Sequence, residues 1–219
     1  MRPYFDVEDK NQILSEISSL IENRELVSGK KVKEFEIGFA RYIGQKYSIA
    51  TNSATSALEV SIRSLGLRGK EIIVPTNTFI ASPNSVINSG NIPVFADMEE
   101  DSFGINLDSV KSKLNKNTKA LMVVHIGGLV HPKIEEIKDF CQDNDLYLIE
   151  DGAHVIGAEL NNKKAGTFGD ISCFSFYISA RISKFLACAS LLNRVSFSLH
   201  TGQRHEGTET EFLWPILSQ

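Results

Sequence analysis

The feature that most constrains the fold is a repeated pairing of a short apolar run with a stretch of helical spacing. Apolar or β-branched runs occupy Tyr47–Thr51, Glu71–Pro75 and residues 92–97, 120–125 and 146–151. Helical patterns lie between them at 53–65, 79–88, 106–114 and 132–144. Runs of this kind, apolar on consecutive residues, suit strands covered on both faces. Strand and helix in strict succession predict an α/β fold, a mostly parallel sheet with helices on both faces. Two amphipathic helices precede the first strand. One carries Ile13, Leu14, Ile17, Leu20 and Ile21, and the other Val32, Phe35, Phe39 and Tyr42, with a break at Ser28-Gly29.

Composition excludes several classes. With 219 residues, 42% of them hydrophobic, the chain can bury a full core, and disorder is ruled out. A net charge of −4 with interspersed signs offers no basic face for nucleic acid or anionic lipid. No apolar run approaches a membrane span, and residues 1–10 lack the apolar core of a signal peptide. Cys141, Cys173 and Cys188 are odd in number and show no CxxC spacing, which predicts a reduced, cytoplasmic compartment.

In parallel sheets ligands sit beyond the carboxyl ends of the strands, so the residues just after each run carry the candidate chemistry. Asn52-Ser53-Ala54-Thr55-Ser56 opens a helix with backbone N–H groups and hydroxyls at its positive end, either a phosphate site or a plain serine cap. Asp151 ends a strand, where its carboxylate needs a cation or hydrogen-bond donors, or caps a following helix. His154 lies three residues on, and its bland reading is a packed structural histidine. Phe79, in Thr76-Asn77-Thr78-Phe79, either lies over a flat ring or joins the core. Ser175 alternates with Phe174 and Phe176 in a further strand at 171–177, and so faces away from them. Two other enzyme readings are weak. His125, His131, Asp151 and His154 lack the spacing of a metal-dependent hydrolase, and no GxGxxG follows a strand.

The ordered blocks resemble a known family. They are Val27-Ser28-Gly29-Lys30, Asn52-Ser53-Ala54-Thr55-Ser56-Ala57-Leu58, Pro75-Thr76-Asn77-Thr78-Phe79 and Pro93-Val94-Phe95-Ala96-Asp97, followed by Val124-His125-Ile126-Gly127-Gly128, Glu150-Asp151-Gly152-Ala153-His154 and Gly166-Thr167-Phe168-Gly169-Asp170. Together they are similar to the DegT/StrS-type sugar aminotransferases, pyridoxal-phosphate (PLP) enzymes of fold type I. The resemblance runs from about Pro3 to Tyr177. It implies a PLP-binding large domain over 1–177 and transamination of a nucleotide-linked keto sugar with glutamate or glutamine as donor, for amino sugar or surface polysaccharide synthesis, in a homodimer. It also implies that Thr55, Ser56 and Ser175 hold the cofactor phosphate and that Phe79 stacks on its ring. Asp151 would pair with the ring nitrogen, and His154 would stand near the phenolic oxygen.

The resemblance breaks at one critical place. The family's cofactor-bearing lysine falls three residues after the aromatic matching Tyr177, and here that position is Ala180. The glycine-glutamate-glycine-glycine loop that follows in the family is missing too. Lys184 is the nearest lysine. Residues 178–219 lose the strand–helix alternation and contain no Asp, apart from a possible strand over 194–198. The expectation is therefore a truncated large domain with an aberrant tail, from a frameshifted or otherwise disrupted gene, without the family's smaller C-terminal domain and without transaminase activity. The alternative within this expectation is a non-catalytic remnant that at most binds PLP weakly.

Overall fold

The computed structural model describes residues 6–24, 29–176 and 195–199. Helix α1 (Val7–Glu22) is capped by Asp6, whose carboxylate accepts the Asp9 amide at 2.8 Å, and α2 (Lys30–Ile43) ends at Gly44 with φ 86°. Five strands alternating with four helices follow: β1 (Tyr47–Thr51), α3 (Ala54–Ser64), β2 (Glu71–Pro75), α4 (Ala81–Asn88), β3 (Ile92–Ala96), α5 (Leu107–Lys113), β4 (Thr118–Val124), α6 (Ile134–Asp143) and β5 (Tyr147–Gly152). A short hairpin, β6 (Glu159–Leu160) with β7 (Lys163–Lys164), leads into β8 (Ile171–Phe174), and β9 is Val195–Leu199.

Among the described residues, seven of the strands form one sheet in the order β1-β9-β8-β5-β4-β2-β3, and β6 pairs only with β7. The pairs β2–β3, β2–β4, β4–β5 and β5–β8 are parallel, and β9 runs antiparallel to both β1 and β8. The expected architecture is therefore present, with β9 in the region of the strand suggested at 194–198.

Consecutive apolar residues along each central strand feed two separate cores. Ile73, Leu121, Val123 and Leu148 pack with α2, α5 and α6, and Ile72, Val74, Ala120, Met122 and Ile149 pack with α3 and α4. Strand alternation explains the split, because neighbours in a strand point to opposite faces. Phe174 and Phe176 both enter the first core, meeting Phe39 edge-on at centroid distances of 5.2 and 5.0 Å. Gly152 and Gly166 make room for the Phe174 ring, since a Cβ at either position would lie within 3.0 Å of it.

Both edges of the sheet are modified. At β1 the outward Ala50 amide donates to the Glu36 carboxylate of α2 at 2.8 Å. At β3, Ile92 N donates inward to Lys70, which turns the next backbone nitrogen outward, and that residue is Pro93, with no N–H to offer.

The hairpin β6–β7 lies in a stretch without strand signals in the sequence reading. It turns on Asn161 and Asn162, both in the left-handed region at φ 51° and 62°. This Asn-Asn pair is the local signal for a tight hairpin. Helix α4 begins at Ala81, two residues later than its periodicity suggests, because Thr78 and Phe79 belong to the loop that rises from β2.

Candidate active site at the strand carboxyl ends

The amino end of α3 is built from a serine cap. Ser53 Oγ accepts from Ser56 N at 3.1 Å and donates to Ser56 Oγ at 3.0 Å, and Thr51 Oγ1 donates to Ser53 O at 3.0 Å. The cap uses one amide of the first turn. The Ala54 and Thr55 amides come too early in the helix to have an acceptor within it, and Thr55 and Ser56 are half-buried beside them. The capping and anion-binding readings of this segment are thus compatible.

Asp151 lies near the end of β5 on the same face as Ile149, toward α3 and α4. It is 5% exposed. Each carboxylate oxygen has a protein donor: Ser82 Oγ to Oδ2 at 2.8 Å and Ala153 N to Oδ1 at 3.2 Å. The residues just after Asp151 form turns and not a helix, so it is not a helix cap. Burial pushes its carboxyl above the usual range, and the Ser82 and Ala153 hydrogen bonds and nearby His154 and His125 offset only part of that.

Ser175 reaches the same face by alternation. Its partner strand places Cys173 opposite Asp151, and Cys173 Sγ lies 3.3 Å from Ser61 Oγ of α3. Phe174 and Phe176 turn the other way, which leaves half-buried Ser175 on the α3 side, two residues beyond Cys173. Phe79 is 72% exposed, so it is not a core aromatic. His154 is exposed and near enough to act electrostatically on Asp151, so it is not a packed structural residue. Thr55, Ser56, Asp151 and Ser175 share one face at the carboxyl ends of the strands, with Phe79 and His154 on adjoining loops. Ala180 and Lys184 lie outside the described residues.

The opposite face holds a buried group that sequence reasoning did not single out. Glu150, fully buried, points away from Asp151 and accepts four donors: the amides of Gly166, Phe168 and Gly169 at 2.8, 2.8 and 2.6 Å, and His125 Nε2 at 2.9 Å. His125 Nδ1 accepts the His131 amide at 3.2 Å, which assigns the ring proton to Nε2. His131 in turn donates from Nε2 to Ile105 O at 3.0 Å and accepts Lys133 N at Nδ1. The signal was available: a second acid beside Asp151 in a buried strand must face the other core, and only a donor-rich loop such as 166–169 can satisfy it. Ser82 was also missed, although Ser82, Ser85 and Ser89 recur at helical spacing on the buried side of α4.

The hydrolase alternative finds no ligand set. His125 and His131 have both ring nitrogens engaged, and among the described residues no group of three metal-ligating side chains occurs. Nor, among those residues, is any helix long and apolar enough to cross a membrane.

Known proteins resemble this chain in sequence and in fold. GDP-perosamine synthase of Vibrio cholerae is 44% identical over 150 residues, which are 68% of this chain and 41% of that protein. Among solved structures, Helicobacter pylori PseC, an aminotransferase involved in the biosynthesis of pseudoaminic acid, superposes with a TM-score of 0.80 at 28% identity, covering 94% of this chain and 53% of the other. The E. coli GDP-4-keto-6-deoxy-D-mannose-3-dehydratase with bound hydrated PLP superposes at 0.78 and 26%, covering 90% and 49%. The chain spans about half the length of the relatives it matches. Residues 7–187 match the sequence model of the DegT/DnrJ/EryC1/StrS aminotransferases, ten residues past Tyr177, and the chain belongs to that family.

Proposed function

We propose that this chain carries the cofactor-binding part of a PLP-dependent aminotransferase for a nucleotide-linked keto sugar, with glutamate or glutamine as the amino donor, working as a cytoplasmic homodimer. Residues 1–177 form its large domain; the family match runs on to residue 187, but the family's lysine and its glycine-rich loop have no counterpart in 178–219. The observation that carries this reading is Asp151, a buried carboxylate at a strand's carboxyl end on the face shared with Ser175 and the α3 amino end. Burial raises its pKa by disfavouring the charged carboxylate, and a protonated pyridine nitrogen beside it would offset that burial.

When bound, PLP supplies an electron sink for moving an amino group between donor and keto sugar. The chain's residues bind and orient it. Thr55 and Ser56, with the first-turn amides of α3 and Ser175, hold the phosphate; Asp151 keeps the ring nitrogen protonated; Phe79 covers one ring face; His154 stands near the phenolic oxygen. Ala180 occupies the position of the family lysine, so this chain binds the cofactor without the amine that carries it and moves the proton, and it does not transaminate.

The test is incubation of the purified chain with PLP, borohydride reduction, and peptide mass spectrometry, beside a non-covalent titration with pyridoxamine phosphate. The expected result is saturable pyridoxamine phosphate binding, weakened about tenfold or more by Thr55→Ala with Ser56→Ala, and no stoichiometric lysine adduct. A single stoichiometric adduct on Lys184 would overturn the inactive reading. Absence of saturable binding would overturn the cofactor site itself.

A further inference from the structure

Three serines line the buried side of α4, and two of them close on their own helix. Ser85 Oγ donates to Ser82 O and Ser89 Oγ to Val86 O, each at 2.7 Å. Ser82 instead sends its hydroxyl across to the sheet, to Asp151 Oδ2 at 2.8 Å. A hydroxyl has one proton, so with that proton committed to Asp151, Ser82 Oγ serves as acceptor for Thr78 Oγ1 at 2.6 Å. Thr78 precedes Phe79 on the loop leaving β2. The line Thr78 to Ser82 to Asp151 thus joins the loop of the candidate ring-stacking residue to the carboxylate proposed for the ring nitrogen. Its middle member is fully buried.

We propose that Ser82, oriented by Thr78, is a positioning residue that holds the Asp151 carboxylate in the rotamer that meets the cofactor's ring nitrogen. The inference rests on the cofactor reading above. With Ser82 on Oδ2 and Ala153 N on Oδ1, one bond per oxygen fixes the carboxylate plane, and the bonds favour the charged form that burial disfavours. Removing Ser82 Oγ frees that plane and leaves the Thr78 hydroxyl without this acceptor.

The experiment compares pyridoxamine phosphate with its 1-deaza analogue, which carries C–H in place of the ring nitrogen, by titration into the full chain. Neither ligand has an aldehyde to react with surface lysines. The wild-type chain is expected to prefer the natural ligand, and Ser82→Ala to reduce that preference about tenfold with little change toward the deaza analogue. Thr78→Val is expected to lower it less, and Thr78→Ser to restore it; these two half-buried changes decide the matter if Ser82→Ala does not fold. Equal weakening toward both ligands in the variants would mean a purely structural serine and overturn the proposal. A wild-type preference left intact by Ser82→Ala and Thr78→Val would overturn it while sparing the role of Asp151. Equal wild-type affinity for both ligands would overturn the Asp151 pairing, and binding of neither would overturn the cofactor site; the inference falls with either.

Discussion

At the scale of single residues, two adjacent acids do different work because a strand sends neighbours to opposite faces. Glu150 serves the fold. Its Oε2 receives His125 and Gly166, and its Oε1 receives Phe168 and Gly169. Glu150→Ala leaves buried donors without an acceptor and is expected to cost about 3–5 kcal/mol in denaturant unfolding. Glu150→Gln is isosteric, yet its amide nitrogen would face two donors, and a loss of about 1–3 kcal/mol is expected in the same measurement. A loss below 0.5 kcal/mol (about the scatter of surface substitutions) would contradict this account. Asp151 was legible in the sequence because an acid that closes an apolar run in a parallel sheet falls where ligands bind. That Glu150 must face the other core was legible by alternation, but its partners were not, because they come from segments 16 or more residues away and only the fold unites them.

At the scale of elements, strand and helix positions were readable from periodicity almost to the residue. β1 and β2 match in full, since one five-residue apolar run bounded by turn residues admits little else. The hairpin β6–β7 was not read, because two-residue strands have no periodicity and only Asn161-Asn162 marks them. Its return loop sets a strict steric condition. Gly166 has φ 90°, and a Cβ there would stand 2.3 Å from Phe174 Cζ and 3.1 Å from Ser172 Oγ. Gly166→Ala is therefore expected to destabilise by about 2 kcal/mol or more through strain and overpacking, read as a lowered denaturant midpoint with an unchanged slope. Because Gly166 N also donates to Glu150, the variant should combine non-additively with Glu150→Gln in a double-mutant cycle.

At the scale of the whole molecule, the buried titrating groups set the response to pH. Burial holds the His131 imidazole below its ordinary 6.5, although its bond to Ile105 and the nearby Glu99 pull the other way and His125 and Lys133 add to the lowering. The unfolded chain therefore binds a proton that the folded chain refuses, so stability is full above about pH 6.5 and declines as pH falls below it. Glu150 adds to the loss at lower pH. Burial alone would raise its carboxyl, but His125 and the Gly169 and Gly166 amides hold it below 4.5, and its contribution fades as pH falls from there through the folded value. Asp151, raised by burial, has the opposite sign, gaining stability as pH falls toward 3.8. The expected outcome is a lower melting temperature at pH 5.5 than at pH 7.5, with the difference reduced in His131→Gln; a flat profile in the wild-type chain would refute it. The two modified edges of the sheet have a consequence for self-association. In a five-residue strand only two or three amides face outward, and each rim has already lost one, to Glu36 at Ala50 and to the ring of Pro93. A colliding copy finds no uninterrupted ladder at either rim on which to template a fibril, so strand-by-strand polymerisation of the native state is suppressed at both ends by two unrelated devices.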